Sequence, residues 1–187
     1  MNIAERAQRL CLSPDAEWAV IAAEPAALPQ LITGYALPLA GLSAIGSFVG
    51  SLMLELGPGV AMRIAIVGLV MSLVVVAILS TVIDAVAPTF GAVKNRASAA
   101  KVAAYAPTPA WVAGLFQLVP VVGGLITFIG AVYALYLLYL GLMRVMKSPP
   151  DKAVVYTVVV VLIAIVVGWV ASVVTAAIGL GPSVRML

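Results

Sequence analysis

The sequence predicts an all-α integral membrane protein: five transmembrane helices preceded by a short amphipathic N-terminal segment. Three observations carry this prediction. Hydrophobic residues make up 64% of the 187 residues, against about 45–50% in soluble domains even with glycine counted. Charged residues make up 9%, too few for the charged surface of a soluble fold, where about 25% is usual. The charges also punctuate the chain. Thirty uncharged residues separate Glu24 from Glu55, 20 separate Arg63 from Asp84, 42 separate Lys101 from Arg144, and 32 separate Lys152 from Arg185. A bilayer core of about 30 Å takes roughly 20 apolar helical residues.

The same composition argues against a soluble enzyme, a disordered chain and a nucleic-acid reader. The chain has no histidine and one cysteine, Cys11, so histidine bases, histidine metal ligands and an intrachain disulfide are all ruled out. No phosphate-cradling Gly-x-x-x-x-Gly-Lys or Gly-x-Gly-x-x-Gly occurs. No enzymatic activity, cofactor or metal is therefore expected.

Residues 1–30 form the predicted cytoplasmic or interfacial unit, and residues 31–187 the membrane domain. MNIAERAQRL carries Glu5, Arg6, Gln8 and Arg9 ahead of any apolar run, which does not fit a cleaved leader. Ile3, Ala7, Leu10 and Cys11 share one helical face. Ser13-Pro14-Asp15 then reads as an N-cap, a proline at the first helical position and an acid in the first turn. It opens a second helix over Pro14–Ala23 that carries Trp18. This segment is read either as an interfacial or partner-docking element or as a lid over the bundle ends.

The spans are placed near Leu31–Leu54, Ile64–Ile83, Ala110–Val122, Leu125–Met143 and Val154–Ile178. The third and fourth divide the 42-residue stretch, since one helix of that length would be about 63 Å long. Pro107, Pro109, Pro120 and Gly123-Gly124 interrupt it, and the glycine pair is taken as a hairpin turn. A re-entrant segment followed by one full span is the alternative. With five spans and an inside N-terminus, eight of the ten basic residues lie inside: Arg6, Arg9, Lys94, Arg96, Lys101, Arg144, Lys147 and Lys152. Only Arg63 and Arg185 then lie outside, as the positive-inside rule asks.

Several residues are candidates for more than bulk apolarity. Gly46 and Gly50 in the first span, and Ala164, Gly168 and Ser172 in the fifth, form small-residue faces suited to close helix packing or homo-oligomerisation. Asp84 closes the second span, where an interfacial position would leave it hydrated and a deeper one would make it functional. Tyr133, Tyr136 and Tyr139 recur every third residue along the fourth span, as a packing seam or a pore lining. Arg6, Arg9, Trp18, Lys94, Arg96 and Lys101 are candidate contacts to anionic lipid or to a protein partner at the cytoplasmic face.

Three stretches also carry a resemblance. They are Ser13-Pro14-Asp15-Ala16-Glu17-Trp18, then Tyr105-Ala106-Pro107-Thr108-Pro109-Ala110-Trp111, and then ALYLLYLGLMRV (134–145) followed by Pro149-Pro150-Asp151-Lys152-Ala153. From about Ser13 to Ala177 the chain resembles the bacterial branch of the Yip family, five-span proteins named for interacting with Ypt/Rab GTPases. The resemblance implies five helices, a cytoplasmic N-terminus and residence in the bacterial inner membrane, and it supplies no catalytic residues. The Asp-Leu-x-Gly-Pro motif of the eukaryotic members is absent. The function expected is a non-enzymatic adaptor or scaffold in membrane organisation or trafficking, with a small oligomeric transporter or channel as the alternative.

Overall fold

The N-terminal polar segment folds as two helices, α1 over Ile3–Leu12 and α2 over Pro14–Ala23. The computed structural model describes residues 2–119 and 121–180. Pro120, one of the expected breakers, and Arg185, on the expected outer tail, lie outside the described residues. Asn2 caps α1 by accepting from the Ala4 amide at 3.1 Å, and Ala7 and Leu10 are buried as the periodicity requires. The bounds of α2 match the Ser-Pro-Asp signal, but Ser13 makes no side-chain capping bond. Its amide still donates to Arg9 O at 2.7 Å, so this one residue closes α1 while opening α2.

Among the described residues, four helices are long and apolar enough to cross a bilayer: Leu28–Met53, Pro58–Phe90, Val122–Arg144 and Pro150–Ile178. The first, α3 (Leu28–Met53), contains a π-helical turn over Ile32–Ala36. Pro38 explains it. A proline cannot donate to the carbonyl four residues back and its ring crowds that carbonyl, so the helix widens by one residue. The Leu37 amide accordingly donates to Ile32 O, five residues back.

Helix α4 runs over Pro58–Val86 and continues into a 3-10 turn at Ala87–Phe90. It extends beyond the expected Ile64–Ile83 because Arg63 sits inside the helix. Charge bounds the lipid-facing stretch, whereas Gly57 at φ 77° and Pro58 begin the helix itself.

The expected third span, Ala110–Val122, is not a long helix. It is the last part of a bent path made of α5 (Arg96–Tyr105), α6 (Thr108–Gly114) and a 3-10 turn over Leu115–Leu118. Pro107 and Pro109 deny their amides to a continuous ladder, which breaks the path between α5 and α6. The path nevertheless runs the length of its neighbours. Against α3 it is parallel, with Tyr35 beside Thr108 (hydroxyls 2.8 Å apart), Gly46 beside Gly114 and Leu115, and Gly50 beside Gln117. Against α7 (Val122–Arg144) it is antiparallel, with Val102 beside Gly141, Pro109 beside Gly130 and Phe116 beside Gly123. From Gly141 to Gly123 a helix rises about 27 Å, close to the thickness of a bilayer core.

Gly123-Gly124 is not the hairpin turn. Both residues lie within α7, and the chain has already reversed before them, with Val121 at φ 72°. Gly123 instead provides close approach. A Cβ there would stand 2.6 Å from the Phe116 carbonyl carbon, so only glycine lets the 3-10 backbone lie against α7. The last helix, α8 (Pro150–Leu180), packs along α4. The Tyr156 hydroxyl of α8 donates to Ile83 O at 2.5 Å, and its ring stacks on Phe90 at 4.9 Å.

Candidate functional site

Three segments far apart in sequence meet at one end of the bundle: residues 2–24, 91–105 and 144–152. The Lys101 ammonium donates to Ala22 O at 3.1 Å, Arg144 pairs with Asp15 at 2.9 Å, and the Val93 amide donates to Met146 O at 2.9 Å. These are the segments that carry the eight basic residues expected inside.

A buried ion cluster locks this end together. The Arg6 guanidinium lies 3.2 Å from the Glu17 carboxylate and donates to both oxygens of Glu24 at 2.6 and 2.8 Å. It also sits over the Tyr105 ring, 5.4 Å from the centroid. Arg6 is 4% exposed and Glu17 2%. Glu17 and Glu24 are seven residues apart, which sets both toward one side of α2. A planar guanidinium with several donors suits such a two-carboxylate grip.

Trp18, fully buried, meets the Tyr105 ring edge-on at 6.4 Å and rests against Gly141 of α7. Lys101 is also buried, and desolvation lowers its pKa from the usual lysine value against the opposing pull of the Glu24 carboxylate. Three of the six residues expected to touch lipid or a partner, Arg6, Trp18 and Lys101, are therefore interior. Docking α1 and α2 onto the bundle removes them from the surface. Arg9, Lys94 and Arg96 remain exposed, and Arg9 pairs with Glu5 one turn away.

Within the membrane region Gly46 and Gly50 pack against backbone of the bent path. A Cβ on Gly46 would lie 2.7 Å from Leu115 O, and one on Gly50 3.1 Å from the Gln117 carbonyl carbon. Gly168 differs from this pattern. Nothing lies within 4 Å of where its Cβ would be, and it borders a cleft of about 310 Å³ together with Ser172 and Ala171. The expected tight contact at Gly168 is not formed; further along α8 the Thr175 methyl comes within 3.9 Å of where a Cβ on Gly68 of α4 would stand. Ala164 is half-buried on the same helix.

Asp84 sits near the end of α4 and is buried. It is 7% exposed, and its Oδ1 has no hydrogen-bond partner among the described residues. Tyr156, bonded to the adjacent Ile83 carbonyl, and Phe90 stacked upon it help to close this end of the helix.

Along α7 the Tyr133 and Tyr136 rings lie 5.7 Å apart, yet the three tyrosines meet different surroundings, because a three-residue spacing on a 3.6-residue helix turns them around it. The Tyr133 hydroxyl donates to Cys11 O of α1 at 2.9 Å, Tyr139 packs against the core, and Tyr136 is 44% exposed. Polar side chains converge elsewhere. Ser43, Ser47, Ser72 and Gln117 border a cavity of about 190 Å³, where the Trp111 indole donates to the Ser72 hydroxyl at 3.0 Å. Thr81, Thr175 and Ser172 bond carbonyls of their own helices instead.

Sequence reasoning missed the acids of the cluster. Their signal was the seven-residue spacing of Glu17 and Glu24 within an otherwise apolar stretch. It also missed Thr108, whose fully buried hydroxyl bonds Tyr105 O at 2.6 Å and meets Tyr35.

No curated protein matches the chain, and no solved structure matches it. The family model described as the Yip1 domain matches residues 9–172. That range takes in α2, the four long apolar helices for most of their length, the bent path between them and most of the charged end, and so this chain belongs to the Yip1-domain family of membrane proteins.

Proposed function

We propose that this Yip1-domain protein is a non-enzymatic adaptor or scaffold of a bacterial cytoplasmic membrane, with five crossings, the N-terminus inside and the C-terminus outside. The charged end lies in the cytoplasm and docks a protein partner. One observation carries this reading: the three segments rich in basic residues share one end of the bundle, held by Arg144–Asp15, Lys101–Ala22 and Val93–Met146. The bent path, whose length along α7 approaches a bilayer core, supplies the remaining crossing that lets both loops lie on one side. A transporter is less well supported, because the polar cavity bordered by Ser43, Ser47, Ser72 and Gln117 is small, about 190 Å³, and no charged side chain among the described residues lines it.

Topology is tested by single cysteines at Lys94 and Lys147 in a Cys11→Ser background. Both are expected to resist an impermeant thiol reagent in intact cells and to react after permeabilisation. Reaction of the two positions from opposite faces would remove the five-crossing reading.

The adaptor role is tested separately. Lys94 and Lys147 are exposed, and charge complementarity at an interface rim sets association rate and partner choice. Affinity capture of the full chain from native membranes should recover a partner that the Lys94→Glu/Lys147→Glu double variant recovers about tenfold less well. Equal recovery by both proteins, or none above an unrelated membrane protein, would overturn the docking role.

A further inference from the structure

The structure holds a second polar feature at the same end, outside the Arg6 cluster. A cleft of about 470 Å³ opens between the start of α3, the last turns of α4 and the start of α5. Arg96 lines it, is exposed, and forms no ion pair among the described residues. Ser80 lines it from α4. Ser80 is 6% exposed, yet its hydroxyl makes no hydrogen bond among the described residues. A serine buried to this degree normally finds a partner, most simply a carbonyl of its own helix. Here Ser80 lines an open cleft together with Thr81, whose own hydroxyl donates to Ala77 O at 3.1 Å.

Two helices begin at the cleft wall. Asn95 caps α5 by accepting from the Ser98 amide at 3.0 Å, and the Ala99 amide donates to Asn95 O. The amides of Arg96 and Ala97 remain without intrahelical acceptors, as the first turn of any helix requires. α3 begins at Leu28, with Ala26 and Ala27 on the wall before it. Helix starts present partial positive charge. Glu24, the nearest acid before Ala26 in sequence, is already held by Arg6.

We propose that this cleft binds the phosphate of an anionic phospholipid headgroup. Arg96 supplies charge-assisted donors, the Ser80 hydroxyl a buried donor, and the Arg96 and Ala97 amides further donors. Position selects a lipid over a soluble phosphate. The cleft lies where helices enter the apolar layer, and Val74 and Ile78 (40% and 39% exposed) continue the Thr81 stripe of α4 into that layer, offering an apolar track for an acyl chain. The site rests on the membrane placement of the helices and not on the protein partner proposed above, so loss of partner capture leaves it standing.

The test is native mass spectrometry of the detergent-purified full chain with phosphatidylglycerol, with phosphatidylcholine of equal chain length, or with sodium phosphate. Phosphatidylglycerol should be retained preferentially. Arg96→Gln should reduce its retention about tenfold, Arg96→Lys should recover part of it, and Lys152→Gln, an equal loss of charge at the same end, should leave it unchanged. Ser80→Ala should lower it about fivefold, and it gives an independent reading should Arg96→Gln alter the fold. Equal retention of the two lipids would overturn the proposal. So would equal losses in Arg96→Gln and Lys152→Gln, or binding of sodium phosphate as strong as that of the lipid.

Discussion

Replacing Gly46 with leucine is expected to cost the detergent-solubilised protein about 3 kcal/mol or more, seen as a large fall in melting temperature. The cause is backbone against backbone. A Cβ on Gly46 meets the Leu115 carbonyl at 2.7 Å and also crowds the Gly114 carbonyl, and neither can rotate away as a side-chain tip could. The 3-10 turn over Leu115–Leu118 would have to leave α3, against which it packs as closely as it does against α7 at Gly123. Lipid gives no hydrophobic drive to re-form such a contact at a distance, so helix association there depends on the close approach itself. Gly168→Leu is the matched control. It adds the same side chain into open space and should stay within about 0.5 kcal/mol of the parent. Similar melting temperatures for the two variants would show that the bent path does not depend on α3.

Arg6→Ala is the second large effect, about 3–5 kcal/mol of destabilisation. Most of this is not the strength of an ion pair. It is the penalty of leaving the Glu17 carboxylate, 2% exposed, without its guanidinium, with a further loss from Glu24 and the Tyr105 face. Replacing the pair together, as Arg6→Met with Glu17→Leu, should recover most of the loss, because apolar residues of similar size avoid the desolvation cost. A double-mutant cycle read by thermal melting measures this. Additive losses in the double variant would mean that Arg6 and Glu17 do not act as a pair.

These two regions differ in how far the sequence reveals them. The long helices were legible because lipid imposes one simple demand, a run of apolar residues, and charges mark where it stops. α2 was legible to the residue because Ser13-Pro14-Asp15 is a local signal. The third path was harder, since its prolines permit a crossing, a re-entrant loop or a short pair of helices. Its course is defined by contacts with α3, α4 and α7. The ion cluster was hidden for a different reason. Arg6 sits in a polar run that reads as solvated, and its burial depends on Tyr105, about 100 residues away. Gly46 and Gly168 have the same local signature and opposite surroundings, so no pattern within one helix could separate them.

The N-terminal pair of helices has one further consequence, for the order of events during synthesis. Its docking partners lie far downstream: Cys11 is bonded by Tyr133, 122 residues later, and Asp15 by Arg144, 129 residues later. At about 5–20 residues per second, roughly 6–26 s pass between translation of Asp15 and translation of its arginine. For most of that interval α1, with Ala7 and Leu10 on its apolar side, has no α6 to pack against and no Tyr133 to hold it. The nearest apolar phase is the surface of the bilayer into which α3 is being inserted, and a short amphipathic helix rests naturally there. The first helices made are thus among the last to reach their final place, and the nascent chain waits on its own membrane.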